Sequence, residues 1–462
     1  MGVSLPFRFN SPTFQIFLVG FICFCCPGMY NALTGLGGGG KSSTEAVNNA
    51  NTALSVTFTV CSLLGAPVYN IVGHRIILPA ALTYVLFVGS FLSTSDAFTV
   101  AAGAILGIGA GFLWTAQAGI MMSYPKESDK GKAFSIFWMI FNLGATIGAA
   151  IPLGMNWNGG EDTGNINQGT YIGFMVIMAF GAFLTLILVS PNKVIRSDGT
   201  HVSLHKYSNW KREAVEVFKL FLNWRMLILI PLFAGSNWFY TYQFQVYNGG
   251  GYFNKPARSL NNFVYWLFQI IGGGVFGWFL DLKMLGGRRQ RAFIANTLVL
   301  ALAIALWSGG IEIQKRFNRD WVNVPEHDKF GVYSPGYAGL CIEYALFGLM
   351  DSVYQGFSYW LMGTMTNDTE RAARYGGFYK TIQNAFAAVA SQLGNHVDYD
   401  VQLYIVFAIN AVGLLLSYVI CYTVPDVTVE EIDNLQGVEG SEKVIGGRLE
   451  DEPPVYEGKE YM

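Results

Sequence analysis

Residues 12–33 read PTFQIFLVGFICFCCPGMYNAL, a run of twenty-two residues without one charge. As an α-helix it extends about 33 Å, enough to cross a hydrocarbon core of roughly 30 Å. No cleavage pattern follows it, so it reads as a retained membrane helix and not a signal peptide. The pattern recurs outward from this run. Apolar stretches of similar length predict spans at 12–34, 51–73, 76–95, 98–122, 133–155, 170–190, 225–247, 260–281, 291–310, 335–362, 376–394 and 400–424. A water-soluble domain has no use for twelve such segments. The expectation is an all-α polytopic membrane protein.

Composition agrees. Hydrophobic residues make up 52% and charged residues 13%, against about 25% charged in soluble domains. Glycine, with 54 copies, suits close helix–helix contact in lipid. The basic residues then test the count of spans, because cytoplasmic loops are enriched in Lys and Arg. With the N-terminus inside, Lys41, Lys255, Arg258, Lys315, Arg316, Arg319 and Lys329 fall outside, seven of 29. The other 22 fall inside, among them Arg75, Lys126, Lys130, Lys132, Arg288, Arg289, Arg371, Arg374 and Lys380. A miscounted helix would spoil that asymmetry. Both termini are therefore expected in the cytoplasm.

The six cysteines, Cys23, Cys25, Cys26, Cys61, Cys341 and Cys421, all fall inside expected spans. They form neither a disulfide framework nor a zinc spacing, and no cofactor is implied. No nucleophile–base pair or soluble catalytic domain suggests an enzyme, and no basic face suggests nucleic acid.

A polar segment, 191–224, separates six spans from six, which divides the chain into 1–190, 191–224, 225–424 and a tail at 425–462. Trp210 to Leu222 reads as an amphipathic surface helix. The halves echo each other. After the second span comes APVYNIVGHR at 66–75; after the eighth comes GWFLD at 277–281, then Gly286, Gly287, Arg288 and Arg289. In each, a small residue lies four before a polar one and a Gly–basic turn follows. Such duplication marks many transporter folds.

The six-plus-six plan and the two Gly–basic loops resemble the major facilitator superfamily. In that family the loop carries a Gly, three residues, Asp and Arg; here Ala66, Asn70 and Ile71 stand in the first half, and Gly277 and Asp281 in the second. The resemblance makes Asn70, Gly277 and Asp281 gating candidates. A narrower likeness lies in GMYNALTGLGGGG at 28–40, GIGAGFLWTAQ at 107–117 and VIRSDGT at 194–200. These resemble the Unc-ninety-three-like family in its fungal form, which implies ion-channel regulation, trafficking or transport.

Residues 35–42, GLGGGGKS, match the phosphate-loop pattern. That loop needs a strand before it and a helix after it; here a membrane helix precedes it, so the run reads as a glycine linker. Gly103, Gly107 and Gly111, four apart, put a bare column on one helix face. It serves either a sliding surface or static packing.

Intramembrane charges are costly and so are functional candidates. The tenth span carries Glu343 and Asp351 on roughly the same side, with Gln355 beside Asp351. The seventh offers Asn237, Tyr240 and Gln243, the first Asn31, and the fourth Trp114 and Gln117. In the superfamily this chain resembles, spans 1, 4, 7 and 10 line the central cavity. These eight residues, Glu343 aside, are the cavity candidates. Asp351 reads either as a proton or cation site that pairs with the solute, or as a packed acid bonded to nearby Tyr and Gln. Gln269, Gln383 and Asn384 read as interhelical hydrogen-bond partners.

The tail holds eleven acids against three basic residues, too polar to fold alone. Within it, Pro453, Pro454 and Tyr456 form a Pro-Pro-x-Tyr element, which suits WW domains such as those of ubiquitin ligases. The sequon Asn367-Asp-Thr369 falls on the cytoplasmic side and should carry no sugar. The functional expectation is a carrier of a small solute working by alternating access; the alternative is a non-transporting regulator or escort of a channel or receptor.

Overall fold

The computed structural model describes residues 8–34, 44–157, 168–196, 199, 202, 210–366 and 368–426. Twelve helical rods account for most of them. The first half holds α1 (Pro12–Thr34), α2 (Thr44–Val72), α3 (Gly73–Ser90, its first turn 3-10), α4 (Asp96–Ser123), α5 (Lys130–Trp157) and α6 (Gln168–Leu184). The second holds α7 (Trp224–Asn248), α8 (Lys255–Leu280), α9 (Arg288–Gln314), α10 (Tyr337–Gly363), α11 (Thr369–His396) and α12 (Tyr399–Thr423). Seven rods are long and apolar enough to cross a membrane unaided, and up to eight if the bent pair ending in α7 is one span. Rods α2, α10 and α11 are more polar because they carry residues that face the interior.

Local chemistry sets the boundaries. Ser95 caps α4 by accepting from the Phe98 N–H, and Asp96 sits in the first turn, where the helix dipole favours an acid. Asn254 caps α8, with Pro256 in the first turn, where its missing N–H costs nothing. Pro27 lies inside α1, where it cannot donate and crowds the preceding turn. The helix widens to a π turn over Phe24–Gly28.

The glycine column of α4 meets α2. A Cβ at Gly103 would lie 2.5 Å from the Ala50 carbonyl oxygen, and one at Gly107 would lie 2.2 Å from that of Leu54. Thr57 donates across the contact to the Ala104 carbonyl at 2.8 Å. Both helices belong to the same half, so this face is packing inside one bundle. It is not a surface on which one half slides past the other.

The outer face is apolar. Val176, Phe180 and Phe183 of α6 lie exposed at helical spacing, which suits lipid and not water. The chain is an integral, multi-pass membrane protein. Between the halves, Trp210–Lys219 and the turn Leu220–Leu222 form the surface helix expected there. The two halves meet mainly along α5 with α8 and α2 with α11. The end of the bundle that carries the linker is called the linker end below, and the opposite one the far end. At the far end Tyr252 stacks on Phe317 and Phe330 at 4.9 and 5.2 Å, which ties the loop after α9 to the α7–α8 turn.

Rod α11 begins at Thr369, capped by Asp368, seven residues before the expected start. Its opening turns, TERAARY, are polar and escape a hydropathy reading. This corrects one placement: Lys380 is no cytoplasmic loop residue. It lies three turns inside α11 and is buried.

Candidate functional site: a cavity between the halves

Rod α7 changes from α to π geometry over Thr241–Asn248, TYQFQVYN. Wide turns of this kind recur at functional sites because they re-aim side chains. Here the change follows Tyr240, whose ring stacks on Phe244 at 5.0 Å.

Between the halves lies a cavity of about 290 Å³, near the lower edge of the roughly 300–1,000 Å³ of small-molecule sites. The first half contributes Tyr30, Asn31, Tyr84 and Trp114; the second contributes Asn237, Tyr240, Phe244, Trp266, Gln355 and Lys380. The lining continues to Thr34, Asn51 and Ser391, toward the far end. Of the residues singled out from sequence, Asn31, Trp114, Asn237, Tyr240 and Gln355 are on the wall. Gln117, Gln243 and Asp351 stand behind it, all buried. Gln117 accepts from the Tyr359 hydroxyl at 3.3 Å.

Asp351 is fully buried and surrounded by donors. Its Oδ2 accepts from the Tyr240 hydroxyl at 2.8 Å, from the Tyr265 hydroxyl at 3.0 Å and from the Gln269 amide. Its Oδ1 accepts from Gln355 Nε2 at 2.7 Å. A carboxylate is acceptor-only with about four lone-pair sites, so this shell suits its ionised form. Tyr265 also lies 2.8 Å from Gln243 Oε1, while Gln243 Nε2 has no partner. One hydroxyl carries one proton. With the Gln243 amide turned over, Nε2 donates to Tyr265 and the tyrosine proton goes to Asp351.

Lys380 supplies the opposite charge. Its Nζ donates to Gln383 Oε1 at 2.7 Å and lies 4.5 Å from the centre of the Trp114 ring, 5.1 Å from that of Tyr379 and 5.8 Å from that of Tyr359. Ring faces attract a cation. Gln383 Nε2 donates to Gln355 Oε1 at 3.2 Å. Carboxylate, two amides and ammonium thus form one hydrogen-bonded row. Tyr265, Gln269, Tyr379, Lys380 and Gln383 were not among the cavity candidates. Lys380 had a signal: it sits inside the expected span 376–394.

The linker end is tied across the halves. Asp281, just past α8, accepts from the backbone N–H of Gly131 at 3.1 Å and of Lys132 at 2.7 Å, at the start of α5. Burial pushes the Asp281 carboxyl up to about 6, and those two N–H groups pull against it. Lys130 donates to the carbonyls of Gly363 and Thr366, at the end of α10, where the helix dipole favours a cation. Gly277 packs on Ser135, whose hydroxyl reaches the carbonyls of Gly273 and Gly274 at 2.9 Å. Trp138 Nε1 donates to Gln269 Oε1 at 3.1 Å. One face of α8, at 265, 269, 273, 277 and 281, therefore runs from Asp351 to Asp281. The side chain of Asn70, the glycine linker at 35–42, Asn367 and the Pro453–Tyr456 element lie outside the described residues.

A family model described as ion channel regulatory protein UNC-93 matches residues 48–311. UNC93-like protein 1 of Arabidopsis thaliana is 41% identical over 423 residues, covering 90% of this chain and 91% of that protein. An UNC93-like protein of Schizosaccharomyces pombe is 38% identical, covering 85% and 78%. Among solved structures, the proton:xylose symporter XylE aligns at a TM-score of 0.57 and 12% identity, covering 92% of this chain and 97% of that one. The transporter FucP in its outward conformation aligns at 0.60 and 11%, covering 90% and 99%. At such identities the likeness carries the fold. The chain belongs to the UNC-93 family and is built on the major facilitator fold.

Proposed function

We propose that this protein is a secondary carrier of a small solute, working by alternating access. One observation carries the reading: a polar and aromatic cavity with walls from both halves, reaching toward the far end and tied shut at the linker end. Rocking the halves about the central contacts would exchange which end is open. Asn31, Asn237 and Gln355 would orient the solute, and Tyr240 and Trp114 would wall it. Asp351, behind Tyr240 and Gln355, would hold those two in place as part of the coupling machinery. The excess of Lys and Arg at the linker end supports a cytoplasmic linker and cytoplasmic termini; without Lys380 the division is 21 to seven.

The test is uptake by the purified protein in liposomes across a panel of small solutes, with Asp351→Asn as control. Uptake that disappears in the variant supports the carrier. A second reading, a regulator or escort of a channel or receptor, is favoured by the description of the matched family. A channel or receptor that co-purifies, with no uptake across the panel, would establish it instead. Labels at Lys206 and Gly447 found on opposite faces would overturn the topology under both.

A further inference from the structure

The cavity wall carries one formal charge among the described residues, and it is positive: Lys380. Asp351, the obvious partner for a cationic solute, is not on the wall. Its oxygens are filled by Tyr240, Tyr265, Gln269 and Gln355, so a cation would have to displace donors that stay buried, an expensive exchange. Lys380 is placed the other way. An ammonium has three donors; its one hydrogen bond goes to Gln383, and the rest of the group faces ring surfaces beside the cavity. Ring faces steady the charge but leave N–H groups free for a stronger acceptor.

We propose that the cavity takes a small organic monoanion, a carboxylate on an aromatic or apolar body, with its oxygens on Lys380. The single ammonium matches a single negative charge; a dianion would bring an unpaired charge into a site of low dielectric. The walls of Trp114, Phe141, Tyr240, Phe244 and Trp266 suit a flat body, by stacking or edge contact. Trp114 belongs to the first half and Lys380 to the second, so a carboxylate that draws Lys380 off the indole alters a contact between the halves. The inference rests on the carrier reading of the same cavity.

The test is a matched series with one ring body: benzoate, benzamide and benzylamine, titrated against the full-length protein in detergent by intrinsic tryptophan fluorescence. Benzoate is expected to bind saturably, and the neutral and cationic analogues about tenfold or more weakly, as loss of a charge-assisted bond implies. Lys380→Met is expected to lose benzoate binding by a similar factor, and Lys380→Arg to keep most of it. Benzylamine binding as tightly as benzoate, no saturable benzoate binding, or unchanged affinity in a folded Lys380→Met would each overturn the proposal. If Lys380→Met does not fold, the wild-type series alone decides. Liposome uptake separates the two claims. Benzoate binding with no uptake removes the carrier and leaves the anion site; uptake of benzamide or benzylamine with benzoate excluded removes the anion site and leaves the carrier.

Discussion

Asp351 and Lys380 sit on different helices and are joined through two amides: Gln355 donates to the carboxylate, Gln383 to Gln355, and Lys380 to Gln383. The two opposite charges balance across the row without touching. Their energies should therefore couple. In a cycle of Asp351→Asn, Lys380→Met and the double variant, thermal stabilities are expected to be non-additive by about 0.5–3 kcal/mol. Strict additivity would show that the row transmits nothing.

Asp351→Asn alone swaps an acceptor for a donor inside a shell of donors. Tyrosine hydroxyls can turn away, but the amides of Gln269 and Gln355 are held by Trp138 and Gln383. The expected loss is about 1–3 kcal/mol of stability, read as a lower melting midpoint, together with loss of uptake. Asp351→Glu keeps the charge but overfills the space, and should also melt early.

The linker end should respond to pH through Asp281. Its carboxyl is pushed up to about 6 while buried in the tied form, above the ordinary value of about 3.9. The tied form therefore binds that proton more tightly than any form that exposes Asp281. Tied population is expected to rise as pH falls from about 7 to about 4 and to lose that gain as pH climbs through 6. Spin-label distances across α5 and α8 at the linker end would follow it, and Asp281→Asn should flatten the curve. A wild-type distance that does not change with pH would refute this.

Gly107→Ala should destabilise the first half. The new methyl would fall 2.1 Å from Thr57 Oγ1 and 2.2 Å from the Leu54 carbonyl. The hydroxyl can swing aside but the backbone cannot, so α2 must back away at a cost of about 1–3 kcal/mol. Gly173→Ala, in open space on α6, is the matched control. Equal melting of the two variants would contradict the packing account.

For the tail, a peptide spanning Pro453 to Tyr456 is expected to bind WW domains, and Tyr456→Ala to abolish binding, as measured by fluorescence anisotropy. Undiminished binding of the variant peptide would end the case for a ubiquitin-ligase partner.

The fold was legible because lipid makes a blunt demand: a long uncharged run has few other uses. Rods α1, α10 and α12 lie within two residues of their expected limits. Rods α2 and α11 start about seven residues early, because their first turns, TEAVNNAN and TERAARY, are polar. Lys380 was misplaced by the charge count and not by the span, since 376–394 already contained it. A charge count that assigns every basic residue to a loop cannot place one on an indole inside a helix. Asn31, Trp114 and Tyr240 stood out as polar or aromatic residues on spans the superfamily uses for its cavity. Tyr265 and Tyr379 did not, since spacing does not tell a tyrosine facing a carboxylate from one facing lipid. The π turn of α7 left no trace either, for its residues are compatible with an ordinary helix.

On the carrier reading, the stripe on α8 would set the order in which the halves part. From position 281 to 269 it extends about 18 Å, and each of its fastenings is of a different kind: two backbone amides, a hydroxyl, an indole. Parting the bundles from the linker end undoes them one after another, like a zip. The last to go is the Trp138 bond to Gln269, whose release leaves the Asp351 shell with a slack member. The buried Asp351 would thereby register an opening that begins twelve residues along the rod from Gln269, with no moving segment except the rod itself.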